Sequence, residues 1–165
     1  MASGEMDPDL TSEIPTQPAE RVRALVERVV ETLDLEASVA VEEVETEIRA
    51  TVEGDELDLL IGSDGETIDA LQYIASRAAF ADSAERKAVV IDAAGYRGRR
   101  EVALQGAADR AATEALASGR PVELEPMSSP ERKIVHQYLA ARGDIETHSE
   151  GQEPRRRLVV TPTAG

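Results

Sequence analysis

The 165-residue sequence has no cysteine, one phenylalanine, three tyrosines and two histidines. Without cysteine there is no disulfide framework, no thiolate metal site and no cysteine nucleophile, and the composition fits a reducing compartment. Aromatics make up only 2% of the chain, so Ala, Val, Leu and Ile must fill any core. No apolar run approaches the roughly 18–20 residues of a membrane span, and the first residues lack the basic segment and apolar stretch of a secretory leader. The expectation is a soluble, cytoplasmic chain. No G-x-x-x-x-G-K followed by Ser or Thr occurs, which excludes a P-loop. Two histidines without cysteine partners are too few for a usual zinc site. No carboxylates stand in a recognisable acid–base setting, and no serine lies in a nucleophile elbow. No catalytic residue, metal or cofactor is expected.

What is abundant is negative charge. The net charge is −15, which repels phosphate backbones at long range. Its distribution matters more than its sum. Residues 1–60 hold 17 acids and 4 bases, whereas residues 61–165 hold 16 acids and 14 bases. Almost all the acidity thus sits in the first third, where it also serves as a solubilising surface. Bases cluster at Arg97, Arg99 and Arg100, and again at Arg155, Arg156 and Arg157.

At 41% apolar residues the chain can build real cores, and its length suits one domain or two small ones. Residues 1–18 carry three prolines and several acids without a hydrophobic period, the pattern of a disordered acidic tail. From Ala19, the residues Val22, Leu25, Val26, Val29, Val30 and Leu33 recur at helical steps. Residues 35–52 alternate Val with Glu and predict two strands with a turn near 44–46. A glycine-rich turn at 62–65 precedes a helical pattern through Ile68, Leu71, Ile74, Ala75, Ala78 and Ala79, then a strand at 87–92. Gly95 breaks the pattern. A long Ala-rich helix is predicted over 96–118, a short extended piece over 121–126, and a helix from Ser128 or Ser129 to about Arg142, with Pro130 in its first turn. Extended segments at 145–149 and 156–161 flank a turn at 151–154. The organisation expected is a tail over 1–18, a first module over 19–94 and a second over 95–165 that includes its connecting helix.

Two constellations carry chemistry. The first is Gly62, Ser63, Asp64 and Gly65. A G-x-x-G turn feeding a helix lets backbone approach a ligand closely, and free N–H groups at the helix start favour an anion. In KH modules such a turn grips a nucleic-acid backbone, though the pattern also occurs in ordinary turns. The second is Arg132 and His136, four apart on a helix and therefore on one face. A guanidinium offers a planar fork for phosphate, and an imidazole can donate or stack. The bland alternative for this pair is exchange of hydrogen bonds with neighbouring glutamates. Tyr96, at the head of the Arg97, Arg99 and Arg100 cluster, can stack on a base or seal the module junction. Tyr138 reads as core.

The string LIGSDGETIDALQYIASRAA, set in that order of elements, resembles the KH module of the Jag family, bacterial RNA-binding proteins also called SpoIIIJ-associated or KhpB. The resemblance runs on through YRGRRE and PVELEPMSSPERKIVH to ETHSEGQEPRRRLVV, over residues 19–161. It implies an α+β chain, a type II KH-like module followed by a small α/β R-three-H module, the latter a single-stranded nucleic-acid binder. It implies a non-catalytic single-stranded RNA-binding protein in post-transcriptional control linked to cell shape and cell wall organisation. Pairing as a homodimer, or as a heterodimer with a small KH-only protein, is implied as well. The binding role carries to Arg132 and His136, with the strand base matching best at Arg156 or Arg157. Arg97, Arg100 and Arg155 are further expected contacts.

The chain departs from the family at Ser63 and Asp64, where a basic residue is usual. Asp64 can cap the N–H groups that a phosphate would use and places a like charge beside it. The turn is therefore expected to bind weakly, leaving the second module dominant. The rival readings are a protein-interaction adaptor whose KH surface no longer binds RNA strongly, and a hydrolase using His136.

Overall fold

The computed structural model describes residues 15–163; the reading of residues 1–14 as disordered tail lies outside the described residues. The chain divides into two compact units, one ending at Tyr96 and the other starting at Arg97. Both combine helices with a three-stranded sheet, the expected α+β class.

In the first unit α1 (Pro18–Thr32) begins inside the segment read as tail, because Pro18 stands at a helix start, where its missing N–H costs nothing. Val22, Val26 and Val30 form its fully packed ridge. β1 (Ala37–Glu43) pairs antiparallel with β2 (Glu47–Gly54), and β3 (Ala88–Ala93) pairs parallel with β2, giving the order β1-β2-β3. A parallel pair needs a crossover. Here α2 (Asp58–Ile61) and α3 (Glu66–Ala79) supply it. Ile48, Ala50 and Val52 on β2 alternate inward to meet α1 and α3. Full burial of side chains the size of Ile48 and Val52 contributes about 1.5–3 kcal/mol each. The Gln72 amide oxygen accepts the Ile91 N–H at 2.9 Å, tying α3 to β3.

The α3 pattern needs one correction. Ile68, Leu71, Ala75 and Ala79 are buried, but Ile74 is 54% exposed and Ala78 is exposed too. One residue is a 100° step, so both lie beside the narrow stripe rather than on it.

α4 (Tyr96–Ser118) begins on the last residue of the first unit, and its remainder, in the second, buries Leu104 and a row of alanines, Ala108, Ala111, Ala112 and Ala115. β4 (Val122–Glu123), β6 (Arg157–Pro162) and β5 (Ile145–Glu150) form an antiparallel sheet in that order. α5 (Ser129–Leu139) packs on it through Val135 and Leu139. α5 stops at Leu139, three residues before the expected Arg142, because the Arg142 N–H turns back to the Leu139 carbonyl. Tyr138 is also corrected: it is exposed, and its O–H donates to Asp109 at 2.9 Å rather than joining the core. Among the described residues no helix is long and apolar enough to cross a membrane.

Candidate nucleic-acid interface

The start of α5 sets the site. Ser128 occupies the N-cap in extended conformation, Pro130 follows in the first turn, and the Glu131 carboxylate reaches back to accept the Ser128 N–H at 2.8 Å. The other Glu131 oxygen accepts Arg100 Nε at 2.7 Å. Arg100 is therefore engaged in holding the helix start.

From this start, Ser129, Arg132, Lys133 and His136 project at steps of three and four along one face. That face, with the β5–β6 hairpin, lines an open cavity of about 460 Å³. Thr147 and Ser149 of β5 line it, as do Arg156, just before β6, and Leu158 within it. Strand alternation puts them there: Thr147 and Ser149 are two apart, as are Arg156 and Leu158. His148 contributes to the wall, while its Nε2 lies 3.0 Å from Glu150 Oε1. The cavity wall carries three cationic side chains and, among the described residues, no carboxylate.

Within the cavity the donors differ in state. Arg132 is only 7% exposed. A buried guanidinium requires partners, and Arg132 has them: Nη1 donates to the Met127 carbonyl at 2.7 Å and Nη2 to Glu153 Oε1 at 2.7 Å. His136 Nδ1 is hydrogen-bonded to Thr147 Oγ1. Arg156 Nε is buried and has no partner among the described residues.

The other expected contacts lie elsewhere. Arg157 donates to Glu123 of β4 at 2.6 Å, on the strand position that alternates away from Arg156. Arg155 is exposed on the hairpin turn, where its N–H meets the Gln152 carbonyl at 2.9 Å. Arg97 lies in the first turn of α4, half-buried.

The glycine turn belongs to the first unit. Gly62 has φ 74° and ψ 179°, and a Cβ there would come 2.2 Å from Thr67 Oγ1. Gly65 has φ 83°, and a Cβ would come 2.8 Å from the Tyr96 ring, which packs on the turn. Both glycines thus serve the turn's own geometry. Ser63 and Asp64 are exposed between them. Gly65, not Asp64, is the N-cap of α3, and it provides no side-chain cap.

The structure therefore brings Arg132, His136 and Arg156 together, and places the turn at 62–65 in the other unit. Sequence reasoning missed Ser129, Lys133, Thr147, Ser149, Met127 and Glu153. The helical spacing through Arg132 and His136 was signal enough for Ser129 and Lys133, and strand alternation for Thr147 and Ser149. Nothing local marks Met127 or Glu153. Among the described residues no group of three or more His, Cys, Asp or Glu could hold a metal ion.

Comparison with known proteins agrees with both units. The KhpA/KhpB KH domain matches residues 19–91, and the R-three-H domain matches residues 102–162. The RNA-binding protein KhpB of Bacillus subtilis (strain 168) is 32% identical over 146 residues, which are 87% of this chain and 70% of that protein. The chain belongs to the KhpB family. A KhpB from Clostridium symbiosum is 33% identical over 138 residues, covering 82% of this chain and 62% of that protein. The KhpB of Lactiplantibacillus plantarum is 43% identical over 102 residues, 62% of this chain but only 32% of its own length. The chain thus spans between 32% and 70% of the length of these KhpB relatives. The cavity falls wholly inside the R-three-H match and the glycine turn inside the KH match.

Proposed function

We propose that the chain is a non-catalytic, cytoplasmic binder of single-stranded RNA, with the α5–hairpin cavity as its main phosphate-holding site. One observation carries this reading. In a chain of net charge −15, the cavity gathers Arg132, Lys133 and Arg156 with His136 and three hydroxyls, and no carboxylate lines it among the described residues. Local field, not total charge, decides where a phosphate settles. His136 and Lys133 supply donors beside Arg156, while Arg155, Arg157 and Arg97 add peripheral charge.

The turn at Gly62, Ser63, Asp64 and Gly65 is the weaker site in this proposal, since Asp64 opposes an incoming phosphate. The module boundaries at 19–94 and 95–165 belong to it too. Two weak sites in one chain gain through effective concentration. Phosphate and stacking contacts discriminate poorly among bases, so sequence preference is modest. Post-transcriptional control connected with cell shape and cell wall organisation follows from the family resemblance. The test is polarisation titration of a labelled mixed-sequence single-stranded RNA at two salt concentrations. Tight binding at low salt that weakens at high salt is expected, and absence of binding at low salt overturns the proposal.

A second reading, an adaptor pairing with itself or with a small KH-only protein, is favoured by the exposure of Leu59, Tyr73 and Ile74 in the first unit, at 65%, 65% and 54%. Sedimentation of the full chain and of Ile74→Asp tests it. A monomer in both sinks self-pairing, and no co-sedimentation with an added small KH-only protein sinks the other form.

A further inference from the structure

Resting on that reading of the cavity, we propose a division of labour inside it: Arg132 is a positioning residue acting through Glu153 and Met127, and Arg156 is the guanidinium that meets the phosphate. The family motif singles out Arg132. The geometry gives that side chain a different task.

The two terminal nitrogens of Arg132 are each committed to the protein itself, one to the Met127 carbonyl and one to Glu153, both at 2.7 Å. Met127 in turn donates its N–H to the Arg156 carbonyl at 3.1 Å. Glu153 lies three residues before Arg156 on the hairpin turn. One buried side chain therefore pins the segment entering α5 and the turn entering β6, the two stretches of backbone that bracket Arg156. Arg156 itself is half-buried and lines the cavity, and its Nε has no partner among the described residues. Unlike Arg132, whose donors are committed to the protein, Arg156 thus keeps hydrogen-bonding capacity that an anion in the cavity can use. Arg132 builds the frame and Arg156 works in it.

Glu153 separates this proposal from plain electrostatics. A carboxylate next to an anion site is a repulsion to be relieved if charge alone matters. It is an asset if it holds Arg132, and so Arg156, in place. The same substitutions then have opposite effects.

The experiment uses the full chain and a labelled single-stranded oligouridylate, titrated by polarisation across a salt series. Wild type is compared with Glu153→Ala, Glu153→Gln, Arg132→Lys and Arg156→Ala. Glu153 is 57% exposed in its side chain, so both its variants keep the fold, which thermal melts verify. Glu153→Ala is expected to weaken binding although it removes a negative charge, with the salt slope unchanged. Glu153→Gln restores most of the affinity, because its amide oxygen still accepts from Arg132. Arg132→Lys weakens binding with the slope unchanged, since an ammonium reproduces the charge but not the planar fork. Arg156→Ala weakens binding about tenfold and lowers the salt slope by about one contact. Tighter binding by both Glu153 variants overturns the proposal and leaves RNA binding standing, as does an unchanged slope in Arg156→Ala. Wild type that shows no salt-dependent binding overturns the functional reading as well.

Discussion

Nη2 of Arg132 lies 2.7 Å from Oε1 of Glu153, and the two ends of this ion pair differ sharply in exposure, 9% for the Arg132 side chain and 57% for that of Glu153. The pair is therefore asymmetric in energy. Removing Arg132 leaves the Met127 carbonyl without its donor in a buried place, whereas removing Glu153 leaves a guanidinium that water can reach from the turn. Arg132→Ala is expected to cost about 2–4 kcal/mol of stability. Glu153→Ala is expected to cost under about 1 kcal/mol, as partly solvated pairs do. Urea unfolding of the two variants checks the difference, and equal losses would contradict the burial argument.

The glycine turn makes a second prediction, about stability. Gly62 combines φ 74° with ψ 179°, a region other residues scarcely enter, and a Cβ would meet Thr67 at 2.2 Å. Gly62→Ala is expected to cost about 2 kcal/mol or more. Gly119, at φ 65°, has nothing within 4 Å of an added Cβ. Its alanine variant should cost only about 1 kcal/mol, the price of a left-handed residue ending a helix. Denaturant melts rank the two.

The alanine face of α4 predicts the opposite defect, crowding. Ala108 and Ala112 are fully buried where small side chains let α4 approach the rest of the second unit's core. Ala112→Leu is expected to destabilise by about 1–3 kcal/mol through overpacking, while Ala103→Leu, on the exposed face, leaves the melting temperature unchanged. Thermal unfolding of both variants is the measurement.

A fourth prediction concerns acid. Arg142 grips both oxygens of Asp144, at 3.0 and 2.9 Å, and this hydrogen bonding holds the Asp144 carboxyl below the ordinary aspartate range. A carboxyl depressed on folding stabilises the protein above its unfolded pKa, and the stabilisation is lost as pH falls through the folded value. Asp144→Asn should therefore be less stable than wild type near neutrality, and the two should converge in acid. Urea melts across that pH range test it; a constant gap would refute it.

Much of this was legible in the sequence, for identifiable reasons. Val22, Val26 and Val30 announce α1 by spacing alone, and the four-residue step from Arg132 to His136 announces the helix face that lines the cavity. The limits are equally physical. Ile74 reads as core because periodicity cannot tell a wide stripe from a narrow one until the packing partner is present. The carbonyl and carboxylate partners of Arg132, Met127 and Glu153, meet it only through folding of the hairpin, so no local spacing announces them. The three arginines 155, 156 and 157 read as one cluster, and the strand then sorts them, Arg156 into the cavity and Arg157 toward Glu123.

The last prediction asks how His136 works. Its Nδ1 is hydrogen-bonded to the Thr147 hydroxyl across the cavity wall, so the ring's orientation depends on a residue of another element. If Thr147 serves only to orient the imidazole, its effect on RNA binding must pass through His136. Thr147→Val keeps the shape and removes the hydroxyl, and should weaken binding less than His136→Ala. The double variant should then bind as His136→Ala alone does, a fully non-additive cycle. Polarisation titrations of the four proteins at one salt concentration measure it. Additive losses would mean that the Thr147 hydroxyl touches the RNA independently, making β5 a contact strand in its own right.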